Sequence, residues 1–458
     1  MDNVESVRAS GNGIEFPRTA AEDVRFERLR ATLLDEVALD GPPIRNERWV
    51  IAPYDVGWPR YVRRPVFQPR PDWETLRWFD ADAPGFISPG ATAWAAASAL
   101  IRSLALARIA DETDDDSSRY RSLVDANVAE LGLQWGMTSG QARLLSEDAA
   151  EREELAIVLA RYDEAEREST PLFDAEPYLE TLWAVSTVIR ATERGADYGL
   201  ARFVSAGALR TVVDAVATVI VNEFAPVEIL RNVAPRALGT ALAALATFVK
   251  VTGDDGLATD GWRLLRSTVA LVEYLLTADG RVVDEDGGDG HNLAARQGAV
   301  GQGLVYASTV GIDAEDAARS VCSYLLDDLW NPIALTFASG RDADAHAISV
   351  RDAGDVIGGL HAAASLGIDG ADDRFVEFYD NTFDRGRLQR AQRLAAADGE
   401  DQEPPLPTGA GGRYGQAPVY NGEVAYDSRT DEWRVTDERY LADGGLYLAA
   451  QILQAVCP

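Results

Sequence analysis

Apolar residues recur at helical spacing through most of the chain after residue 88. Two neighbouring segments carry them at Leu238, Ala241, Leu242, Leu245, Phe248 and Val249, and at Leu265, Val269, Val272, Leu275 and Leu276. Residues three and four apart share one side of a helix, so each segment predicts an amphipathic helix. The same spacing predicts helices at about 20–38, 90–112, 118–131, 148–168, 174–194, 198–222, 293–310, 314–330, 353–366, 371–396 and 441–456.

The alternation typical of strands is scarce, so the pattern predicts an all-α core. One exception lies near the C-terminus, on both sides of a turn at 427–431. Its alternating apolar residues are Val424, Tyr426, Trp433 and Val435. Two short alternating runs around a turn predict a small β-hairpin there.

A turn with a Gly-x-Asp or Gly-Asp sequence recurs three times between predicted helices of the C-terminal half. The turns end at Asp254, Asp313 and Asp369, which lie 59 and then 56 residues apart. That distance fits two helices and their connections, so the repeat predicts stacked helical hairpins. A similar turn from Asp111 to Ser117 predicts the same plan in the N-terminal half.

In this hairpin period the sequence resembles the six-hairpin, or (α/α)6, toroid superfamily of glycosidase-like proteins. The resemblance covers roughly residues 90–456. It includes sequence segments such as Val251-Thr252-Gly253-Asp254-Asp255 before a predicted helix and Leu275-Leu276-Thr277-Ala278-Asp279-Gly280 after it. It implies inner helices around a central cavity, outer helices around these, and a carbohydrate-related activity. An open α-solenoid is the structural alternative.

Two irregular segments interrupt the helical pattern, at 42–89 and at about 398–440. The first holds nine of the 20 prolines and four of the ten tryptophans. We therefore expect an N-terminal region, 1–89, packed on a toroid-like domain, 90–458, that carries the second segment as an insertion. Tyr54 and Trp58 are candidate substrate-stacking residues, and burial against the helical body is the alternative role for these rings.

The excess of acidic over basic residues limits the kinds of molecule that the protein can bind. The chain has 43 basic and 74 acidic residues, a formal net charge of −31, and Lys250 is its only lysine. Acidic residues spread over the predicted helix surfaces indicate a halophilic protein, because concentrated salt screens their repulsion. The absence of a basic stripe argues against nucleic acid as a partner. No run reaches the roughly 18 apolar residues of a membrane span, so we expect no membrane insertion.

Cysteine usage is low. Cys322 lies on an apolar helical stripe and Cys457 is the penultimate residue. This pattern predicts a core position for Cys322 and offers neither a disulfide framework nor a CxxC metal site.

The first 30 residues show no apolar signal core, and cytoplasmic localisation is the expectation.

The richest polar run extends from Arg351 through Asp355 to His361. One hypothesis places Arg351 and Asp355 as catalytic residues and His361 as a substrate-binding residue facing a central cavity, with Gly358 and Gly359 allowing a ligand to approach. The alternative is structural. Asp352 is then the N-cap of the helix and Asp355 its third residue, near the positive end of the helix dipole.

A second candidate carboxylate is Glu423, at the start of the predicted hairpin. It could act as a general acid or base if it faces the cavity, and a solvated strand residue is the alternative. The three histidines of the chain, His291, His346 and His361, match no local metal motif such as HExxH.

A run of alternating aspartates and glycines is the candidate metal site. Asp284, Asp286 and Asp289 supply the oxygen ligands that Ca²⁺ prefers, although Ala295 stands where an EF-hand has its closing glutamate. An ordinary solvated loop is the alternative in so acidic a chain.

Two functional hypotheses follow from these observations. The first is a carbohydrate-active enzyme, a hydrolase, lyase or epimerase, that acts on a small molecule or glycan with Asp355 and Glu423 in a carboxylate-lined cavity. The second is a non-catalytic helical scaffold, or the binding subunit of a larger assembly, that docks a protein partner through its Pro/Trp-rich segment.

Overall fold

The computed structural model describes residues 88–114, 159–163, 168–172, 174–202, 204–224, 233–288, 292–340, 345–389 and 420–456. It also describes four two-residue strands before residue 88 and scattered helical positions between 118 and 129. The predictions at Tyr54, Trp58, Asp289 and the helix at 20–38 lie outside the described residues.

Ten α-helices lie within the described ranges. They are α1 Pro89–Thr113, α2 Ala175–Arg194, α3 Ala206–Glu223, α4 Pro235–Phe248, α5 Asp255–Leu275, α6 Leu293–Ser308, α7 Glu315–Asp327, α8 Val350–Ser365, α9 Ala371–Phe378 and α10 Ala442–Val456. A π-helical stretch, Tyr379–Arg385, continues α9.

Six of these helices form a closed ring. Each packs against the next in the order α1, α2, α4, α6, α8 and α10, and α10 packs in turn against α1. The helices between them in sequence lie outside, with α3 on α2, α5 on α4, α7 on α6 and α9 on α8. The helical positions after α1 supply its outer contact, where Asp125 accepts two hydrogen bonds from Arg102. The fold is therefore an (α/α)6 toroid, and the closed ring excludes the open solenoid.

Helices α6 and α8 approach each other backbone to backbone. A Cβ on Gly298 would lie 2.2 Å from the carbonyl oxygen of Asp355, and one on Gly359 would lie 2.4 Å from Gly298 Cα. A Cβ on Gly358 would meet the Gln302 side chain at 2.3 Å. The Gly358–Gly359 pair thus serves helix packing, and its proposed role of admitting a ligand is wrong because protein atoms fill that space.

Helix α1 is the one described helix that is long and apolar enough to cross a membrane, yet 78% of its most apolar window is buried within the fold. Its contacts with α2 and α10 account for that composition, because an inner helix meets neighbours on several sides. Cys322 of α7 is fully buried, which confirms its predicted core position.

Short antiparallel strands occupy the connections. They are β1 Val56–Gly57, β2 Arg60–Tyr61, β3 Leu76–Arg77, β4 Phe86–Ile87, β5 Ala160–Asp163, β6 Glu168–Pro171, β7 Trp330–Asn331, β8 Thr336–Phe337, β9 Ala345–Ser349, β10 Glu423–Asp427, β11 Glu432–Asp437 and β12 Tyr440–Leu441. The pairs are β1 with β12, β2 with β3 and β7 with β8, and the three-stranded sheets are β4-β5-β6 and β11-β10-β9. The connections that lead into the amino ends of α1, α2, α8 and α10 contain β4, β5–β6, β7–β9 and β10–β12, respectively.

The predicted hairpin is confirmed, with Val424 opposite Val435 and Tyr426 opposite Trp433. The sequence did not indicate its third strand, β9, which pairs with β10. The helix predicted at 148–168 is wrong over its described part, because β5 lies there between β4 and β6. Pairing with two neighbours outweighs the helical propensity of so short a segment.

Candidate active site

The amino ends of the inner helices meet at one end of the ring, because an outer helix returns the chain between successive inner helices. Six charged side chains gather at this mouth, and we call them the mouth cluster. They are Glu176 and Glu180 of α2, Arg236 of α4, Arg351 and Asp355 of α8, and Asp443 of α10. Charged groups this close to the interior of the ring require oppositely charged or hydrogen-bonding partners. Members of the mouth cluster are partners for one another.

Arg351 is the centre of the mouth cluster. Its Nη1 donates to the Glu180 carboxylate across the ring, and its Nε lies 3.7 Å from Asp355 Oδ1 on the same helix. The guanidinium carbon lies 3.8 Å from the centre of the Tyr447 ring, a cation–π contact. These contacts fix one cation between two carboxyl groups.

Arg236 is the second cation. Its Nη1 lies 3.7 Å from Asp355 Oδ2, and its Nη2 donates to Glu176 Oε1 at 2.7 Å. The Tyr447 hydroxyl donates to Asp355 Oδ1 at 2.8 Å. Asp355 is fully buried, so two arginines and a tyrosine replace the water it would otherwise bind.

Glu180 and Asp443 face each other beside Gly90, the second residue of α1. A Cβ on Gly90 would lie 3.2 Å from Glu180 Oε2 and 3.2 Å from Asp443 Oδ1, so these two oxygens are within twice that distance of each other. Ser88, the N-cap of α1, donates to Asp443 Oδ1 at 2.5 Å. The missing side chain of Gly90 leaves space next to both carboxyl groups.

Burial makes two of these carboxyl groups weaker acids. It raises the pKa of Glu180 to about 7, with the Arg351 charge opposing the rise and the Asp443 and Glu176 charges adding to it. Burial also raises the pKa of Asp355 to about 6, against the charges of Arg351 and Arg236. Glu180 therefore holds a proton for a substantial fraction of the time near neutral pH.

Aromatic side chains form the floor below the mouth cluster. Trp94, Trp183 and Tyr447 pack edge to face, with ring centroids 5.2–5.7 Å apart, and Tyr306 lies 5.9 Å from Trp183. Three of these rings follow mouth residues by one helical turn: Trp94 follows Gly90, Trp183 follows Glu180 and Tyr447 follows Asp443. The ring is thus layered, with charges above aromatic surface.

Four buried polar atoms in these two layers have no hydrogen-bond partner. They are Trp94 Nε1, Trp183 Nε1, Arg351 Nε and Asp355 Oδ2. Buried polar atoms are normally satisfied, so three donors and one acceptor at one end of the ring indicate capacity for a bound polar molecule. The charged groups of the mouth cluster and these unsatisfied hydrogen-bonding groups together suit a polar, polyhydroxylated ligand.

Of the candidate residues, the structure brings Arg351 and Asp355 together. Glu423 lies opposite Ser349 in the β9–β10 ladder, and its Oε1 accepts a hydrogen bond from Thr436 at 2.6 Å. His361 follows Asp355 by six residues, about 9 Å farther along the helix axis. Burial lowers the His361 pKa, an effect that Asp372 of α9 opposes. Within the described residues, no hydrogen bond or ion pair joins Glu423 or His361 to the mouth cluster.

The predicted start of α8 is wrong by three residues. Ser349, rather than Asp352, is the N-cap, and Asp352 is the third helical residue of a capping box with Ser349. The Ser349 hydroxyl accepts from the Asp352 N–H at 3.1 Å, and Asp352 Oδ2 accepts from the Ser349 N–H at 3.0 Å. Asp355 therefore lies in the second turn and has no capping role.

The acidic loop of the predicted calcium site begins beside the mouth. Asp284 Oδ1 forms an ion pair with Arg296 Nη2 at 3.0 Å, and Asp286 Oδ1 accepts from the Gly288 N–H at 3.1 Å. Within the described residues, no group of three or more His, Cys, Asp or Glu side chains could hold a metal ion. With Asp289 outside those residues, the calcium site stays a prediction.

Sequence reasoning missed four members of the cluster: Glu176, Glu180, Arg236 and Asp443. Each lies in the first two turns of a helix that the periodicity had located. Charged residues at the amino ends of alternate hairpin helices are the signal that could have indicated them.

One solved structure agrees with the architecture. A crystal structure of D-mannose isomerase matches over 96% of this chain and 97% of that chain, with a TM-score of 0.50 and 9% sequence identity. A wild-type glycosidase matches over 96% of this chain and 100% of that chain, with a TM-score of 0.40 and 13% identity. No protein-family model and no curated protein sequence matches the chain. At these identities the likeness to D-mannose isomerase shows the fold alone.

Proposed function

We propose that the chain is a carbohydrate-active enzyme that hydrolyses a glycosidic bond of a neutral sugar at the mouth of the ring. The observation that carries the proposal is Glu180, a buried carboxyl group with a pKa of about 7, beside Asp443 and held by Arg351. Glycoside hydrolysis needs a proton donor and a second carboxylate at one bond, and this pair supplies both.

Charge favours this reaction. The mouth cluster contains four carboxyl groups and two guanidinium groups. Even when Glu180 is protonated, the other carboxyl groups of the cluster outnumber its guanidinium groups, so the cluster keeps a net negative charge. That charge stabilises the positive charge that develops on a sugar ring in the transition state. The same charge disfavours phosphorylated or acidic sugars. Neutral sugars are therefore the expected substrates.

In the proposed reaction Glu180 donates its proton to the glycosidic oxygen as the bond to the anomeric carbon breaks. Asp443, as the second carboxylate, stabilises the positive charge at that carbon. Water then adds to the carbon and gives a proton to Glu180, which restores the acid. Arg351 holds Glu180, and Tyr447 holds Asp355, while the buried rings of Trp94 and Trp183 support this layer from below.

Sugar isomerisation is the second candidate, and the likeness to D-mannose isomerase favours it. Glu180 and Asp355 would then move a proton between neighbouring carbon atoms, while Arg351 stabilises the enediolate formed between the two transfers. The alternative is a non-catalytic scaffold that binds a partner. Absence of turnover with every sugar tested would support it.

One experiment separates these functions. Neutral glycosides and free aldoses and ketoses are incubated with the protein in concentrated salt, and proton NMR distinguishes release of a free sugar from interconversion of two sugars. We expect Glu180→Gln to lower turnover about a hundredfold or more, since a positioned general acid contributes roughly 10²–10⁴-fold. Glu193→Gln is the matched control on the same helix, because Glu193 pairs with Arg210 away from the mouth.

The pH dependence gives an independent check. A general acid must be protonated, so turnover should fall as pH rises through about 7, the pKa of Glu180. The residual activity of Glu180→Gln should lack this fall. Equal turnover in Glu180→Gln and wild type would contradict the proposal, and turnover of none of the sugars would favour the scaffold.

A further inference from the structure

The carboxyl ends of the inner helices carry a second group of charged residues, at the end of the ring opposite the mouth. Arg190 and Arg194 lie in the last two turns of α2, and Lys250 follows the end of α4 by two residues. Since α2 and α4 are neighbours in the ring, these three side chains form one surface, which we call the carboxyl-end patch.

The patch borders the lower end of the ring interior. Arg190 follows Trp183 by seven residues, or two turns, and so lies on the same face of α2. Trp183 packs against Tyr306, whose hydroxyl donates to Gln454 Oε1 at 2.7 Å. Gln454 Nε2 is buried and has no hydrogen-bond partner, which leaves one donor free at this end.

Within the described part of the chain, no carboxylate pairs with a cation of the patch, and Glu193, which precedes Arg194, pairs with Arg210 instead. Neither Arg190 nor Arg194 forms a hydrogen bond or an ion pair with any residue that the structure describes. Lys250 Nζ donates to Thr309 Oγ1 at 2.7 Å, a neutral partner. Burial and then the Arg190 charge lower the pKa of Lys250, and burial, Arg108 and Arg190 lower that of Arg194. Like charges therefore face one another.

Such a cluster is unusual for this chain, in which acidic residues outnumber basic ones by 74 to 43. Arg194 lies in the last turn of α2, where the helix dipole favours a cation. The dipole does not explain why the only lysine of the chain and a second arginine gather at the same place. A bound anion would offset most of the positive charge of these three side chains.

We propose that the carboxyl-end patch is a binding site for a phosphate group, with Arg190, Arg194 and Lys250 as its donors. The site is independent of the glycoside chemistry at the mouth. Inorganic phosphate and a small phosphate ester share the recognised chemistry, and titration with each separates the two sources.

Isothermal titration calorimetry tests the site directly, with inorganic phosphate and glycerol phosphate as titrants and potassium chloride holding the ionic strength constant. We expect one saturable site, and affinity at least tenfold lower in Arg190→Gln. Arg263→Gln is the control, because Arg263 is an exposed arginine on α5 that pairs with Asp260. It should bind like the wild type.

Chemical modification of Lys250 then tests whether phosphate binds at the carboxyl-end patch. Because Lys250 is the only lysine, an amine-acylating reagent followed by mass spectrometry reports on one side chain. Bound phosphate should slow acylation of Lys250 several-fold and leave the N-terminal amine unaffected. Lys250→Gln serves as the second binding variant if Arg190→Gln loses helical circular dichroism. The proposal is overturned if neither titrant saturates, or if phosphate leaves Lys250 acylation unchanged.

Discussion

Gly90 shows how one absent side chain shapes the mouth. It is the second residue of α1, and a methyl group there would press on oxygens of both Glu180 and Asp443 at 3.2 Å, closer than ordinary carbon–oxygen contact. Alanine is the better helix former by about 1 kcal/mol, so helix stability gives no reason for glycine at this position. The close approach of the two carboxyl groups to this position does.

We therefore expect Gly90→Ala to lower kcat/KM roughly tenfold, because the methyl group displaces two groups that must be held in place for the reaction. Its melting temperature should change little, since the gain in helix propensity offsets the tight contacts. Gly207→Ala is the matched control at the second position of α3, where the nearest atom to an added Cβ is 4.0 Å away. An unchanged kcat/KM in Gly90→Ala would show that the positions of Glu180 and Asp443 beside Gly90 do not limit the reaction.

Residues close in sequence were predictable, and residues joined across the ring were not. Arg351 and Asp355 are one helical turn apart, so a single polar run indicated both. Glu180 lies 171 residues from Arg351, and periodicity gives the face of a helix without naming the helix it will meet. Asp355 also stands in no capping position, because the Ser349 hydroxyl starts α8 one turn earlier.

At the scale of elements, α8 is positioned by its first turn. The capping box of Ser349 and Asp352 fixes where the helix begins, and Arg351 lies between them, with Asp355 in the next turn. The Val350 N–H also donates to the Gly422 carbonyl at 2.8 Å, which ties this turn to the β10 sheet. A looser first turn would move two members of the mouth cluster together.

Ser349→Ala tests this coupling. We expect it to lower the free energy of unfolding by about 1 kcal/mol, the usual effect of losing an N-cap, and to lower turnover as well. Ser205→Ala is the control, because the Ser205 hydroxyl caps α3, an outer helix, by accepting from the Ala208 N–H. Chemical denaturation and steady-state kinetics of both variants make the comparison, and equal turnover in the two would contradict a positioning role for the α8 cap.

The helices were predictable because each carries its own amphipathic stripe, and the confirmed hairpin because its alternation is local. Strand β9 was not, because its partner lies far away in the sequence, and β5 pairs with the distant β4 as well as with its neighbour β6. Ala347 of β9, for example, faces Ala425 of β10. Such pairing leaves little trace in a segment of four or five residues.

At the scale of the molecule, the hairpin period predicted the toroid through resemblance, whereas closure of the ring depends on contacts between the first and last inner helices. Ser98 of α1 donates to the Leu446 carbonyl of α10 at 3.1 Å, and Trp94 packs against Tyr447. These contacts join residues almost 350 positions apart. No repeat in the sequence specifies how many hairpins complete the circle.

The net charge of −31 sets how the closed ring responds to salt. Folding brings the surface carboxylates together, and their repulsion destabilises the compact state when screening is weak. The screening length falls from about 10 Å at 0.1 M to about 3 Å at 1 M salt, which is shorter than most distances between surface charges. The melting temperature should therefore rise steeply over this range of potassium chloride.

Sodium chloride and potassium sulfate at matched ionic strength identify the cause of that rise. Screening depends on ionic strength, so we expect all three salts to raise the melting temperature by similar amounts. Sulfate also strengthens apolar burial, and a rise confined to sulfate would mean that burial, rather than charge, limits stability. A melting temperature independent of all three salts would contradict the halophilic prediction, because carboxylates this numerous would then have to be neutralised within the fold.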